Sequence, residues 1–300
     1  MRDLVRTQND YEKLGFKVGK GGRFPGGASN SVVNLQDNSY LELPTVSGSA
    51  PAGIDSELAD FLKKHEGAMF LAISGSSAKA AAEYLKARNF AVSDPTPGSI
   101  MIEGETTLPP PMWYAVNPAE PKVGKQGIPM PIGWVEFVSA ERRAKRRAEG
   151  MMDHPNTAVG IHAVWFAVHD AEAQRRMLRD IGLEDGESRE VKFLSAHGRE
   201  VKPAHGAILL LESSNKNGLL AKYLSDQVGP GGRCNCPDDE GIIGLSIEVA
   251  DVGKARRLAE SGTGKKLETY QGFYGPSFRL PPDVMHGVWM ELYQPSEHSH

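Results

Sequence analysis

The sequence predicts an α+β protein of four strand–helix–strand modules, paired into two cup-shaped half-barrels. Three observations carry this reading. Four strand-like runs each end around a glutamate: Tyr40-Leu-Glu-Leu43, Trp134-Val-Glu-Phe137, Leu210-Leu-Glu-Ser213 and Trp289-Met-Glu-Leu292. Two opening strands, Ala163–Val168 and Leu245–Val249, run into an Asp that starts a helix. The spacing is that of a repeat, with 79 residues from Glu212 to Glu291 and 81 from Asp170 to Asp251. Such units gather their last strands around a concavity, where Glu42, Glu136, Glu212 and Glu291 are expected to converge.

The elements follow in order. Leu4–Leu14 is a helix closed by Gly15. Gly19–Gly27 lacks the phosphate-loop pattern and reads as a loop, either plain or covering a substrate with Arg23 as an anion contact. Met69–Ile73 is an apolar strand, followed by the alanine-rich helix Ser76–Arg88. Asp170–Ile181 and Asp251–Ser261 carry one apolar stripe each and stop at Gly182 and Gly262. The modules span about 1–45, 67–138, 160–213 and 241–294, which divides the chain into 1–150 and 151–300. Between the halves, residues 140–149 form a charged helix, read as a solvated connector. Residues 215–227 read as a helix joining the last two modules. Tyr270-Gln-Gly-Phe-Tyr274 either roofs the second cup or packs a hairpin.

Bulk properties exclude several classes. With 300 residues, 40% hydrophobic, the chain has enough length for a substantial core. A net charge of -4 gives no general attraction to nucleic acid or acidic lipid. No apolar run is long enough to span a membrane, and the first residues lack the apolar core of a secretory signal. Cys234 and Cys236 read as two reduced thiols in a loop. The expectation is a cytoplasmic protein that binds a small molecule, without nucleic-acid or membrane partners, and with a homodimer allowed.

The repeated module, together with Leu211-Glu-Ser-Ser, Leu219-Leu-Ala-Lys-Tyr-Leu224 and Glu240–Val249, resembles the vicinal oxygen chelate superfamily, especially its epimerase branch. Lys13-Leu-Gly-Phe16, Gly21–Gly26, Asn30 and Tyr40–Leu43 resemble a glyoxalase-like domain. The resemblance implies that the first module lacks its opening strand. It also implies a divalent metal (Fe, Mn, Ni or Zn) held by a closing glutamate and a His seven residues before the helix-starting Asp. Here Ala163 and Gly244 stand at those positions. His162 is one residue away; on a regular strand it shares a face with Val164 and Phe166, and only a bulge turns it toward the cup. The ligand candidates are therefore Glu291, His162 and Glu212, and a metal-free site is equally consistent.

The expected cup residues are Glu42, Glu136, Tyr40 and Trp134 in one half, with Glu212, Glu248, Glu291, Trp165, Trp289, Tyr293 and Ser246 in the other. Paired carboxylates suit acid–base work when burial shifts one pKa. Tryptophan walls suit a flat ligand. The resemblance implies a glyoxalase-like enzyme (isomerase, lyase or dioxygenase) acting on adjacent oxygens, with Glu291, Glu212, Glu136 and Glu42 as catalytic candidates. The alternatives are a metal-free protein that sequesters an aromatic molecule and a structural homodimer partner.

Overall fold

The computed structural model describes residues 1–46, 54–64, 66–102, 105–118, 132–224 and 240–296. The first module is α1 (Leu4–Lys13), β1 (Gly19–Arg23), β2 (Ala28–Asn34) and β3 (Tyr40–Val46), followed by α2 (Ile54–Lys64). The second is β4 (Leu71–Ser74), α3 (Ala78–Lys86), β5 (Thr96–Gly98), β6 (Met101–Ile102), β7 (Trp113–Val116) and β8 (Ile132–Phe137), with α4 (Ala140–Ala148) behind it. The third is β9 (Ala158–Val168), α5 (Ala171–Asp180), β10 (Glu184–Val191), β11 (Ala196–Lys202) and β12 (Ala207–Ser213), with α6 (Leu219–Leu224) after it. The fourth is β13 (Gly241–Val249), α7 (Val252–Thr263), β14 (Thr269–Gln271), β15 (Pro276–Leu280) and β16 (Trp289–Tyr293). Cys234 and Cys236 lie outside the described residues.

Each module helix starts the same way. Asp3, Ser77, Asp170 and Asp251 are extended N-caps whose side chains accept the amide hydrogens of Arg6, Ala80, Ala173 and Lys254. Within a module the opening strand lies parallel to the closing strand, as β9 does to β12 and β13 to β16. Modules three and four join through the antiparallel β9–β13 pair into one eight-stranded sheet, β10-β11-β12-β9-β13-β16-β15-β14. The first half forms two four-stranded sheets, β3-β2-β1-β6 and β4-β8-β7-β5, in place of one continuous sheet. They are linked because β5 belongs to one sheet and β6, three residues on, pairs with β1 in the other.

The Gly-rich stretch expected to be a loop is largely strand β1. Close approach explains its composition. A Cβ on Gly21 would lie 1.9 Å from Asn30 Oδ1, and one on Gly22 would lie 2.4 Å from the Met101 carbonyl. Only glycine fits between two neighbouring strands packed this tightly.

The convex faces of the sheets bury the module helices, and the cores cross between the halves. Tyr11, Leu14, Val33 and Leu43 of module one pack with Leu245, Ala255, Phe278 and Met290 of module four. Ala82, Leu85, Val116 and Ile132 of module two pack with Phe166, Leu178 and Leu210 of module three. Buried His154 adds a polar tie. Its Nδ1 accepts the Lys17 amide hydrogen at 2.9 Å, so Nε2 carries the proton and donates to the Asn34 carbonyl at 2.8 Å. Burial lowers its pKa from the usual 6.5. The folded state therefore holds fewer protons than the unfolded chain between the depressed value and 6.5. This contribution is complete above 6.5 and is lost as pH falls through the depressed pKa. Denaturant titrations between pH 7 and 5 are expected to show falling stability, with a shallower slope in His154→Gln.

No helix among the described residues is long and apolar enough to cross a membrane.

Candidate functional site

Strand parity divides the four glutamates into two pairs. Ser246 lies five residues before Asp251, as Trp165 lies before Asp170. Glu291 is the register partner of Ser246, whereas the partner of Trp165 is Leu209. Leu209 is thus the counterpart of Glu291, and Glu212 stands three residues beyond it. An odd offset on a strand reverses the face. Glu212 accordingly points to the helix side, where its Oε2 accepts the Ala171 amide hydrogen at 2.9 Å. Glu136 does the same for Ala78, also at 2.9 Å. Gln294, three residues beyond Glu291, accepts the Val252 amide hydrogen at 3.2 Å. All three donors are the first residues of module helices, whose N-terminal amides lack intrahelical partners.

Glu136 and Glu212, expected in the cups, are therefore helix-capping residues. Trp134, two residues before Glu136, shares its face and packs on the helix-side core instead of lining the first cup. Glu136→Ala and Glu212→Ala are each expected to cost about 0.5–2 kcal/mol in chemical denaturation. Neither should change ligand binding in the cups.

Glu291 remains on the concave face of the C-terminal sheet and is only 3% exposed. Its Oε2 accepts from Ser246 Oγ at 2.7 Å, and its Oε1 accepts from Tyr270 OH at 2.7 Å. Ser246 Oγ in turn accepts from Trp165 Nε1 at 2.9 Å. Arg279 is the cross-strand neighbour of Glu291. Its guanidinium is 3.8 Å from the Phe193 ring centroid and 4.1 Å from that of Tyr270. Burial raises the Glu291 carboxyl above its usual range, opposed by the hydrogen bonds from Ser246 and Tyr270 and by the charge of Arg279. Trp289 is half-buried and donates its Nε1–H to Tyr223 OH at 3.0 Å. Trp165, Phe193 and Trp289 form a continuous aromatic wall, with ring centroids 6.0 and 5.3 Å apart.

His162 shows the parity rule broken by a bulge. Ile161 pairs with Ile247 and Ala163 with Ser246, leaving His162 as an extra residue on β9. The regular-strand expectation grouped it with Val164 and Phe166. Instead, its ring lies 4.1 Å from that of Tyr274 and 5.5 Å from that of Tyr293, on the concave side. Burial lowers its pKa.

The segment 270–274 closes this cup. Tyr270 reaches Glu291, the Phe273 carbonyl accepts from Arg189, and Tyr274 OH donates to Glu200 at 2.9 Å. Arg189 and Glu200 belong to β10 and β11, at the opposite edge of the sheet from β14. The segment thus joins edge to edge. Gly272 permits this, since a Cβ there would sit 2.7 Å from Glu291 Oε1 and 2.2 Å from Ser277 Oγ.

The donor set does not fit a metal held in the manner the resemblance implies. The opening-strand positions are Ala163 and Gly244, neither of which carries a ligand atom. Glu212 is committed to a helix on the other face, and His162 packs against tyrosine rings. Among the described residues, no group of three His, Cys, Asp or Glu side chains is placed to hold a metal ion.

The N-terminal cup has a different character. Tyr40 and Glu42 face its interior while Leu41 and Leu43 enter the helix-side core. Glu42 Oε1 accepts from Asn30 Nδ2 at 2.6 Å, and Glu42 is solvent-exposed. Arg23 is exposed on β1. The basic helix α4 does more than connect the halves: Arg146 donates to Asn34 Oδ1 at 2.8 Å, and Arg143 lies 5.8 Å from the Phe137 ring.

Sequence reasoning placed Ser246, Trp165 and Trp289 beside Glu291, but it missed Arg279, Phe193, Tyr223 and the capping Gln294. The Glu, Glu, Gln series three residues beyond the cup position was a legible signal for the last of these.

Comparisons agree with this architecture. The family described as a glyoxalase-like domain matches residues 1–182. No curated protein sequence matches significantly. A variant of 4-hydroxymandelate synthase from Streptomyces coelicolor is similar in structure, with TM-score 0.60 and 13% identity over 97% of this chain and 88% of that one. A hypothetical protein from Staphylococcus aureus has TM-score 0.56 and 10% identity over 93% and 90%. A xylose isomerase-like TIM barrel/4-hydroxyphenylpyruvate dioxygenase fusion protein has TM-score 0.58 and 12% identity over 99% of this chain and 48% of that one. Identities this low carry the fold and nothing of the reaction. The chain belongs to the glyoxalase-like domain family.

Proposed function

We propose that the C-terminal cup is the active site of a small-molecule enzyme that moves a proton on carbon beside a carbonyl, with Glu291 as the base. The observation that carries this is a carboxylate 3% exposed, raised in pKa by burial, and oriented by two hydroxyl donors. Each carboxylate oxygen has a second lone pair, so Glu291 can still accept a proton while Ser246 and Tyr270 hold it. Arg279, with five donors in a fixed fork, suits two adjacent substrate oxygens bidentately. The carbon gives its proton to Glu291, the electron pair stays on the substrate as an enolate facing Arg279, and the proton returns to the same or the neighbouring carbon. Substrate enters by parting the Phe193–Arg279–Tyr270 stack.

The test is proton exchange in D2O, followed by NMR on 2-hydroxy ketones and 2-oxo acids, with 2-hydroxyacetophenone first. Exchange above the buffer rate, lost in Glu291→Gln, supports the enzyme. The covered position of Glu291 beneath half-buried aromatics favours a second reading, metal-free binding of an aromatic molecule. Saturable binding with exchange at the buffer rate would select that reading, and the absence of both would overturn each.

A further inference from the structure

We propose that the N-terminal cup is a second, separate small-molecule site, which takes an aromatic carboxylate bearing a hydrogen-bond donor at its far end. Three features of the cup fix that chemistry.

The first is positive charge that no ion pair satisfies. Arg142, Arg143 and Arg146 of α4 reach Met112 Sδ at 3.3 Å, the Phe137 ring at 5.8 Å and Asn34 Oδ1 at 2.8 Å. All three partners are neutral, and among the described residues none of the three arginines is ion-paired. On the same helix Glu149 pairs with Lys145 at 3.9 Å and acts on Arg146 without forming an ion pair with it. Guanidinium groups left on neutral acceptors retain donors for a planar anion.

The second is an aromatic wall. The Tyr40 and Phe137 rings meet edge to face with centroids 5.8 Å apart, one from each sheet of the half. Arg143 lies against the Phe137 ring, so anion and ring subsites adjoin.

The third is the carboxylate floor. Glu42 is exposed, yet desolvation raises its carboxyl above the usual range. Both hold for a group at the bottom of an open concavity, reached by solvent but enclosed by protein on most sides. Among the described residues Asn30 is its hydrogen-bond donor, and it occupies one oxygen. The strand register places Asn34, which anchors Arg146, opposite Tyr40, and Val32 opposite Glu42. Tyr40, opposite the residue that anchors Arg146, and Glu42 thus stand two positions apart on the same face of β3. The order guanidinium, ring, carboxylate also fixes polarity: the ligand's acid faces α4 and its donor faces Glu42.

The test is calorimetric titration of the full chain with 4-hydroxybenzoate, benzoate, phenol and inorganic phosphate. The expected result is saturable binding of 4-hydroxybenzoate at least tenfold tighter than that of phenol or phosphate. Arg146→Gln should weaken it at least tenfold. Glu42→Gln should abolish its preference over benzoate. Arg147→Gln, whose side chain only holds the β2–β3 turn through the Gln36 carbonyl and Asn38, should change it less than twofold. Circular dichroism on each surface variant checks the fold. Equal affinity for phenol, an unchanged Arg146→Gln, or no saturable heat with any of the four would overturn the proposal.

Discussion

Glu291→Gln is expected to lower proton-exchange turnover by about 10²–10⁴-fold, the range that a positioned general base contributes. Gln keeps the shape and can still pair with Ser246 and Tyr270, because its amide offers both an acceptor and a donor and a hydroxyl can reverse. The fold should therefore survive, and the loss should fall on kcat while affinity for a non-reacting aromatic ligand stays within a few-fold. The pH profile provides an independent readout. Only the deprotonated form accepts a proton, and burial holds that form back. The acid limb should therefore lie above the ordinary carboxylate value of 4.5, with the rate rising as pH climbs through it. A wild-type limb at or below 4.5, or full turnover in the Gln variant, would remove Glu291 from the mechanism.

The second large effect concerns stability. Phe278 is fully buried on β15, within the cluster shared by modules one and four. Phe278→Ala should cost about 3–5 kcal/mol, combining lost transfer energy with a residual cavity. Because Tyr11 and Leu43 of the first module meet Leu245 and Met290 of the fourth in that cluster, the whole chain should respond. Thermal or denaturant unfolding is expected to show one transition, shifted as a whole. Two transitions, only one of them displaced, would show that the halves unfold independently.

Much of this was legible in the sequence because periodicity and caps are local. The Asp-capped helices, the opening strands and the parity that sends Trp165 and Ser246 to the concave face all follow from residues a few positions apart. What escaped depends on pairing across long separations. The four glutamates look equivalent in sequence, which puts Glu136 and Glu212 with the cup residues, but equivalence is set by register against the opening strand. The bulge at His162 has no local signature, since it arises from a mismatch between β9 and β13. The glycines of β1 read as loop residues because the crowding that requires them comes from Asn30 and Met101. Arg279 was invisible for the same reason: it matters only because β15 sets it beside Glu291.

The offset of three residues between cup position and cap position has a consequence for how this protein can change. At the closing strands of modules two, three and four, one residue holds the helix amide and another, facing the opposite way, meets whatever occupies the concavity. The two tasks share a backbone but no side chain. Leu209, Gly133 and Glu291 occupy the same slot in three modules with three unlike side chains, while the anchoring slot keeps an acceptor in each. A module can thus gain, lose or exchange its reactive group without loosening its helix. The scaffold leaves its chemistry free to be rewritten one concave position at a time.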